Sequence, residues 1–263
     1  MTFNNKVIWI TGASSGIGEG LAIELSKRNC KLILSARRIE KLEEVKKQCQ
    51  HRENIFILPF DLSEINTMES IVKQGIAAFG TVDILINNGG ISQRSLIVDT
   101  DISVDKKLME VDYLGTVALT KALLPYFITN KSGHFVTVTS LMGKFGSPYR
   151  SGYCGAKHAL HGFFDVLRME HQKDNIKVTL VCPGFVNTNV AKNALVGDGS
   201  KQNSQDEATQ NGLTVEVFTK RMLKAIENEK FEAYIGKKEV LGVYLKRFFP
   251  KFLHKFVLKN KVR

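Results

Sequence analysis

Short apolar runs separated by longer amphipathic stretches organise this chain. Residues 31–35 and 82–86 are typical, because each is rich in Leu and Ile and has the length of a strand buried on both faces of a parallel sheet. Six runs are predicted to be strands, at residues 6–10, 31–35, 55–60, 82–86, 135–139 and 178–182, with a short seventh near 234–235.

The stretches between these strands carry apolar residues at helical spacing. The longest predicted helices cover residues 105–125, 153–169 and 215–227, and another begins near Glu19. Strands that alternate with helices predict a single-domain α/β fold, a doubly wound parallel sheet of the Rossmann type with helices on both faces. Ligands of such sheets bind at the carboxyl ends of the strands, so the residues after each strand are the first candidates for a site.

A glycine-rich turn follows the first predicted strand. Residues 11–18 read TGASSGIG, and helical spacing starts directly after them. This order places a helix N-terminus under a phosphate group. Gly12 permits the tight turn, while Gly16 and Gly18 let the backbone approach a pyrophosphate closely. We predict a nucleotide cofactor at this turn; the alternative is a glycine-rich connector without function.

Two arginines follow the second predicted strand. Many NAD sites have an acidic residue near this position that holds the ribose 2′-hydroxyl, whereas Arg37 and Arg38 stand here. An arginine fork suits a 2′-phosphate. The expected cofactor is therefore NADP(H), unless the two arginines only form the solvated start of a helix.

The third, fourth and sixth strands also end in polar or glycine-containing turns. Asp61 follows the third strand, where it either contacts a ligand or only caps the next helix. Residues 87–90 read NNGG and leave backbone free to touch a ligand. Pro183 ends the sixth strand, and the polar excursion that follows, residues 187–213, is interpreted as a mobile candidate lid.

The fifth predicted strand ends at Ser140, and Tyr153 and Lys157 follow it in the next helix. A tyrosine and a lysine four residues apart lie on one helix face and can reach one ligand together. A cation close to a phenol favours the phenolate, so the pair is a candidate acid/base. The spacing alone is common on helix surfaces. Its position after a cofactor loop, at a strand end, is what makes it a candidate catalytic site.

Charge and cysteine content narrow the class of protein. Of the net charge of +11, residues 236–263 carry +8, with nine Lys and Arg against Glu239, so residues 1–235 carry only +3. This distribution argues against a nucleic-acid partner. The four cysteines lack metal-ligand spacing, so no metal is expected, and reduced thiols indicate a cytoplasmic protein. No apolar run of about 18 residues and no signal-peptide pattern is found.

The basic C-terminal segment, residues 236–263, is set apart from the catalytic domain predicted over 1–235. Its apolar stripe consists of Leu241, Leu245, Phe248, Phe252 and Phe256. Pro250 is expected to bend the segment or to start a new helix. One interpretation is that the segment packs on the domain or at a subunit interface. The other is a peripheral membrane contact through residues 237–263, attracted to anionic lipid.

Taken in order, these motifs resemble the short-chain dehydrogenase/reductase family over residues 3 to about 235. The matching motifs are residues 11–18, Asp61, residues 87–90, Ser140, Tyr153, Lys157, Pro183, Gly184 and Thr188. Residues 119–125 (LTKALLP) and 198–200 (DGS) are similar to the subgroup of dehydrogenase/reductase members 7 and 7B. Those relatives are membrane-associated and are linked to lipid-like carbonyl substrates such as steroids, retinoids or acyl-dihydroxyacetone phosphates. Their N-terminal hydrophobic anchor is not expected here.

The resemblance implies hydride transfer between a nicotinamide and a carbonyl or secondary alcohol. It implies that Tyr153 protonates the carbonyl oxygen, or acts as the base in the reverse direction, and that Ser140 hydrogen-bonds the same oxygen. Lys157 is implied to assist the phenol and to hydrogen-bond the nicotinamide ribose. Family members commonly pair through the helices at 108–125 and 153–169, so a homodimer or homotetramer is expected.

The resemblance also assigns the surroundings of the cofactor. The adenosine and pyrophosphate side is assigned to Gly12, Ser14, Ile17 and Arg37. Adenine is assigned to Asp61 and Leu62, the adjacent ribose to Asn88 and Gly90, and the carboxamide to Val186 and Thr188. The other residues assigned to the cofactor are Ser15, Gly16, Gly18, Arg38, Gly89, Val111, Tyr153, Lys157 and Pro183. Beside Ser140, an apolar substrate pocket is expected from Leu141, Met142 and Phe185, with Phe145 and Tyr149 nearby.

Asp112 departs from the family pattern, which usually has asparagine at this position, associated with a water relay from the lysine through its backbone carbonyl. An aspartate can keep the carbonyl contact but adds a charge near Lys157. Asp112 is therefore included among the candidate catalytic residues, and activity is expected to be retained. A second departure, Gly89 where alanine is common, is expected to be sterically harmless. The alternative function is a catalytically weak cofactor-binding or membrane-surface regulatory protein on the same fold.

Overall fold

The computed structural model describes residues 1–259 and contains a seven-stranded parallel sheet with strand order β3-β2-β1-β4-β5-β6-β7. The strands are β1 (Val7–Thr11), β2 (Lys31–Ser35), β3 (Ile55–Ile57), β4 (Ile84–Asn87), β5 (Gly133–Val138), β6 (Ile176–Pro183) and β7 (Glu232–Ile235). This confirms the predicted doubly wound fold. Only the third strand is clearly shorter than predicted, because β3 lies at the sheet edge and its partner β2 ends at Ser35.

Residues 1–259 contain ten α-helices, and both faces of the sheet are covered by helices. They are α1 (Gly16–Leu25), α2 (Ile39–Gln48), α3 (Met68–Phe79), α4 (Ile102–Leu108), α5 (Thr116–Asn130), α6 (Ser151–Glu170), α7 (Glu207–Gln210), α8 (Val215–Glu227), α9 (Leu241–Phe248) and α10 (Pro250–Lys259). None of the helices in this part of the chain is long and apolar enough to cross a membrane.

Alternating side chains of the strands build two cores, one on each face of the sheet. On β1, Ile8 and Ile10 join the core that includes Leu21 of α1 and Phe218 of α8. Trp9 points to the opposite face, into the core that includes residues of α3, α5 and α6. Both cores are apolar, so their burial holds helices against the two faces of the sheet and fixes where the carboxyl ends of the strands lie.

The predicted helix at 105–125 is found and extends beyond both predicted ends, over residues 102–130. It begins as α4, passes through a π-helical turn over Met109–Gly115, which the sequence did not predict, and continues as α5. A Cβ at Gly115 would overlap the carbonyl group of Leu62, so the turn packs directly on the loop after β3. Such turns are frequent at functional sites, and this one carries Asp112.

The polar excursion at 187–213 is folded against the body of the protein. Asp206 is buried and lies 2.7 Å from Arg94 and 3.4 Å from Arg150, while Leu195 pairs with Gln93. Its predicted opening as a lid stays a prediction. In the C-terminal segment, Pro250 starts a new helix as expected, and the last four residues of the predicted 236–263 segment lie outside the described residues.

Candidate functional site

The loop after β1 and the loop after β4 form one cradle at the carboxyl edge of the sheet. The Thr11 hydroxyl accepts hydrogen bonds from the backbone N–H groups of Asn88 and Gly89, both at 3.0 Å. The Asn88 amide donates back to the Thr11 carbonyl at 3.0 Å. Gly12 has φ of +64°, and a Cβ there would lie 2.7 Å from the Gly89 Cα atom, so only glycine fits. The cradle leaves the N-terminus of α1 open to a ligand.

Several residues that were assigned to the cofactor lie at this cradle or at the neighbouring strand ends. Thr188 packs on the turn, because a Cβ at Gly16 would lie 3.2 Å from its Cγ2 atom. Leu62 occupies the space that a methyl group at Gly89 would take, so glycine at this position leaves the packing undisturbed. The remaining residues of the turn and of its neighbouring strand ends are Ser14, Ser15, Ile17 and Gly18 after β1, Val111 on the π-helical turn, and Pro183 and Val186 at the end of β6.

Arg37 and Asp61 lie together at the far end of the cradle, after β2 and β3. The two charged groups are 3.7 Å apart, and the Arg37 side chain is two-thirds exposed. Burial by itself raises the pKa of Asp61, but hydrogen bonds from Ser63 and the charge of Arg37 outweigh it and hold the pKa below its usual value. Asp61 accepts from the Ser63 backbone and hydroxyl at 2.9 Å and does not cap α3, so the capping interpretation is wrong. Arg38 is exposed beside them.

Ser140, Tyr153 and Lys157 meet where β5 ends and α6 begins. Ser140 follows β5, is nearly buried, and accepts a hydrogen bond from the Met142 backbone at 3.0 Å. The Lys157 ammonium lies 5.6 Å from the centre of the Tyr153 ring and donates to the Val138 carbonyl at 3.4 Å. A hydroxyl, a phenol and a buried ammonium thus share one strand end.

Asp112 reaches the same point from the π-helical turn. One carboxylate oxygen accepts from the Ile91 backbone at 2.7 Å, and the other lies 3.3 Å from the Lys157 ammonium. Burial raises the pKa of Asp112 above its usual value. Burial lowers the pKa of Lys157, but Asp112 and Tyr153 outweigh it, so the pKa of Lys157 is raised. The sequence predicted that Asp112 adds a charge near Lys157, and in the structure the two side chains form an ion pair.

A cavity of about 660 Å³ opens beside this group. Ser140 and Tyr153 lie in its wall together with the predicted substrate residues Leu141, Met142 and Phe185 and with Phe145. Tyr149, which was also expected there, does not line it. The wall is mainly apolar, and most of its remaining apolar residues come from α9 and α10, so the C-terminal segment completes the cavity. An apolar molecule can place a polar group at Ser140 and Tyr153 while its body contacts hydrocarbon.

Gln93 is a buried residue beside the candidate site that the sequence did not indicate. It is fully buried after β4, and its amide oxygen accepts the backbone N–H groups of Gly152 (2.9 Å) and Tyr153 (3.3 Å) at the start of α6. Its amide nitrogen donates to Ser95 and Ser151. Gln93 therefore connects the start of α6, which carries Tyr153, to the loop after β4. A single glutamine in a loop has no sequence signal for such a role.

A buried charge cluster borders the cavity and was also missed. Arg94 and Arg150 both contact Asp206 from the excursion. Burial and the neighbouring Arg94 lower the pKa of Arg150 to about 10, against the opposing charge of Asp206. Within residues 1–259, no group of three His, Cys, Asp or Glu side chains has the arrangement of a metal site.

Comparisons with known proteins agree with this geometry. The sequence model of the family described as short chain dehydrogenase matches residues 6–197. Dehydrogenase/reductase SDR family member 7 from Homo sapiens is 43% identical over 253 residues, covering 94% of this chain and 75% of that protein. Member 7B from Mus musculus is 39% identical over 231 residues, covering 86% and 72%.

Solved structures of low sequence identity have the same fold. A short chain dehydrogenase from Burkholderia cenocepacia J2315, in complex with NADP, superposes with a TM-score of 0.82 at 22% identity, covering 98% of this chain and 99% of that one. A short chain dehydrogenase/reductase from Burkholderia phymatum, in complex with NAD, gives 0.83 at 19% identity, covering 100% and 98%.

Proposed function

The chain belongs to the short-chain dehydrogenase/reductase family, and from this premise we propose that it transfers a hydride between NADP(H) and the carbonyl or secondary alcohol group of an apolar, lipid-like substrate. The observation that carries the proposal is the position of Ser140 and Tyr153 in the wall of a mainly apolar cavity, with Lys157 beside the phenol. A nicotinamide cofactor is supported by solved neighbours that hold NAD or NADP.

The choice of NADP(H) rests on charge at the end of β2. The exposed Arg37 side chain can offer its guanidinium to a 2′-phosphate, and no acidic side chain follows β2 directly. The Asp61 carboxylate lies 3.7 Å from Arg37, and its lowered pKa favours the ionised form, so the pair favours a position of the arginine at the adenosine end of the cradle. The backbone of residues 11–18 suits the pyrophosphate, because its glycines leave room at the N-terminus of α1.

The bound nicotinamide supplies or accepts the hydride, and the side chains of this chain handle the proton. In reduction, the Tyr153 hydroxyl gives its proton to the carbonyl oxygen as negative charge develops there. The Ser140 hydroxyl donates to the same oxygen and stabilises that charge. Lys157 keeps a positive charge beside the phenol, so that the phenolate left after proton transfer is stabilised. Oxidation of an alcohol runs through the same groups in reverse.

Assembly and location are part of the proposal. Helices α5 and α6 are proposed to pair two chains into a homodimer, or four into a homotetramer, and exposed apolar residues such as Val166 and Met169 on α6 support this. The basic segment 237–263 is proposed as a peripheral membrane contact. A membrane contact there brings an apolar substrate close to the cavity, which the same segment lines.

A substrate panel tests the proposed activity. NADPH absorbance is followed with ketones of increasing chain length and with steroid-like and retinoid-like carbonyls. Turnover that rises with apolar surface is expected, because the cavity wall is mainly hydrocarbon. Absence of turnover with every carbonyl, and with the matching alcohols and NADP⁺, contradicts the proposed function.

A further inference from the structure

The C-terminal helices do two things at once: they close one side of the cavity, and they expose aromatic residues at its mouth. Phe248, Phe249, Phe252 and Phe256, here called the aromatic rim, all line the cavity, yet each is between 52% and 69% exposed. Exposed large apolar groups that are contiguous mark an interaction surface. The aromatic rim is therefore an exposed apolar surface at the mouth of the cavity.

The helices that carry the aromatic rim are packed against the rest of the protein. Leu253 of α10 is buried in a small core with Leu141 and Phe145, directly behind the reaction site. At the other end, the Glu239 carboxylate accepts the backbone N–H of Phe185 at 3.1 Å. Because α9 and α10 are anchored on both sides of the cavity, whatever covers the aromatic rim also covers the cavity mouth.

Lysines flank the aromatic rim along α10. At 100° per residue, Lys251, Lys255 and Lys259 form a stripe directly beside Phe252 and Phe256. Such a pairing lets the rings enter the acyl boundary of a bilayer while the ammonium groups reach headgroup phosphates. The described residues 237–259 hold seven Lys and Arg against Glu239, a net charge of +6. A second copy of this surface would oppose +6 to +6, whereas an anionic bilayer complements it.

We propose that the aromatic rim and its lysine stripe dock on an anionic lipid bilayer with the cavity mouth facing the membrane. On the proposed function, on which this consequence rests, an apolar carbonyl or alcohol passes between the bilayer and Ser140 and Tyr153 without crossing bulk water. The docked bilayer removes the exposed aromatic area from water, and the lysines supply the preference for anionic lipid.

Vesicle binding by the full-length protein tests the docking. Wild type is compared with Lys251→Gln/Lys255→Gln/Lys259→Gln on phosphatidylcholine vesicles with and without about one third phosphatidylglycerol. The matched control is Lys47→Gln/Lys73→Gln/Lys224→Gln, which removes the same charge from exposed lysines elsewhere. The stripe variant is expected to bind anionic vesicles about a hundredfold more weakly, and the control as wild type does. Equal binding by the stripe variant, or no binding by wild type, overturns the proposal.

A tryptophan probe tests the orientation. The natural Trp9 is fully buried, so emission of Phe252→Trp reports the rim. We expect a blue shift with anionic vesicles and quenching by brominated lipid, while Phe231→Trp, at an exposed position away from the cavity lining, does not respond. Vesicle binding without a response at residue 252 contradicts the orientation. A blue shift that depends on protein concentration alone assigns the rim to a second copy and also overturns the proposal.

Turnover measurements distinguish a failure of membrane docking from a failure of the proposed enzymatic activity. With a short water-soluble ketone, the stripe variant is expected to keep the wild-type rate, because its lysines do not line the cavity. With a long-chain ketone held in anionic vesicles, its rate is expected to fall at least tenfold. If no ketone is reduced by wild type but vesicle binding and the residue 252 response are found, the docking stands and the proposed function fails.

Discussion

The Asp112 carboxylate lies 3.3 Å from the Lys157 ammonium, and both side chains are buried. Lys157 also lies beside the ring of Tyr153, so the positive charge near the phenol is paired with the carboxylate of Asp112. An asparagine at this position would keep the hydrogen bond from Ile91 and would leave the ammonium without that balance. The ion pair therefore contributes to the electrostatic field beside the Tyr153 phenol, the proposed proton donor.

Asp112→Asn is expected to shift the pH profile of alcohol oxidation to lower pH by about 0.5–1 unit while retaining activity. The physical reason is that the unbalanced ammonium favours the phenolate more strongly. The measurement is kcat against pH at saturating cofactor. Glu110→Gln, which removes a half-exposed carboxylate from the same turn, is the control and leaves the profile in place. A profile unchanged in Asp112→Asn would contradict this account of the pair.

Gln93 is expected to position the catalytic helix. Gln93→Met removes the acceptor of two N–H groups at the start of α6, and leaving them unsatisfied costs about 1–3 kcal/mol of unfolding free energy. Because Tyr153 moves with this helix end, kcat is expected to fall about tenfold or more while the KM for NADPH changes little.

Gln93→Glu restores the acceptor, and a negative charge suits a helix N-terminus. We expect it to recover most of kcat. Chemical denaturation and steady-state kinetics on the three proteins check this. If Gln93→Met loses stability but keeps kcat, Gln93 has only a structural role.

The ion pairs of Asp206 with Arg94 and Arg150 are expected to stabilise the packing of residues 187–213 against the rest of the protein. Burial by itself raises the pKa of Asp206, but Arg94, Gln202 and Arg150 outweigh it and hold the pKa below its usual value. Its stabilising contribution is therefore complete above the ordinary carboxyl pKa of about 4 and is lost as pH falls through the lower folded-state value.

Asp206→Asn is expected to lower the unfolding free energy by about 3–5 kcal/mol at neutral pH, since it leaves two buried guanidinium groups without their shared carboxylate. Thermal unfolding of wild type and variant between pH 7 and 3 measures this, with exposed Glu207→Gln as control. The difference between wild type and Asp206→Asn is expected to shrink below about pH 4. A difference that is independent of pH would contradict the charge assignment.

The fold could be predicted from the hydrophobic pattern, because parallel strands and amphipathic helices are local features of the sequence. Parallel strands are continuous apolar runs, and the motifs at residues 11–18 and 87–90 lie where those runs end. The helix α8 even has its predicted bounds. Spacing was enough to bring Tyr153 and Lys157 together, since both lie on one helix.

What the sequence did not predict depends on contacts between distant segments. Gln93 meets Gly152 across 59 positions, and Arg94 meets Asp206 across 112. The periodic pattern of apolar residues carries no information about which distant residues are in contact. The π-helical turn that aims Asp112 at Lys157 was missed because its apolar spacing resembles that of an ordinary helix. The C-terminal helices were seen as amphipathic, but that they complete the cavity is a property of tertiary packing.

The Arg37 interpretation predicts a preference for NADPH over NADH. Arg37→Ala is expected to weaken NADPH binding about tenfold to a hundredfold, the effect of one charge-assisted hydrogen bond to a phosphate, while NADH binding stays within about twofold. Fluorescence titration of both cofactors measures this, with Lys47→Ala as a control at an exposed position on α2. Tighter binding of NADH by wild type would overturn the interpretation.

The role of Tyr153 is the central claim, and Tyr153→Phe tests it most directly. The variant keeps the ring and removes the proton donor, so hydride transfer from NADPH to a carbonyl is expected to fall by about 10²–10⁴-fold. NADPH affinity is expected to stay within about twofold, because the cradle after β1 and β4 is untouched. Tyr113→Phe, outside the cavity lining, is the matched control. Loss of turnover with intact NADPH binding is the predicted result, and turnover within tenfold of wild type contradicts the account.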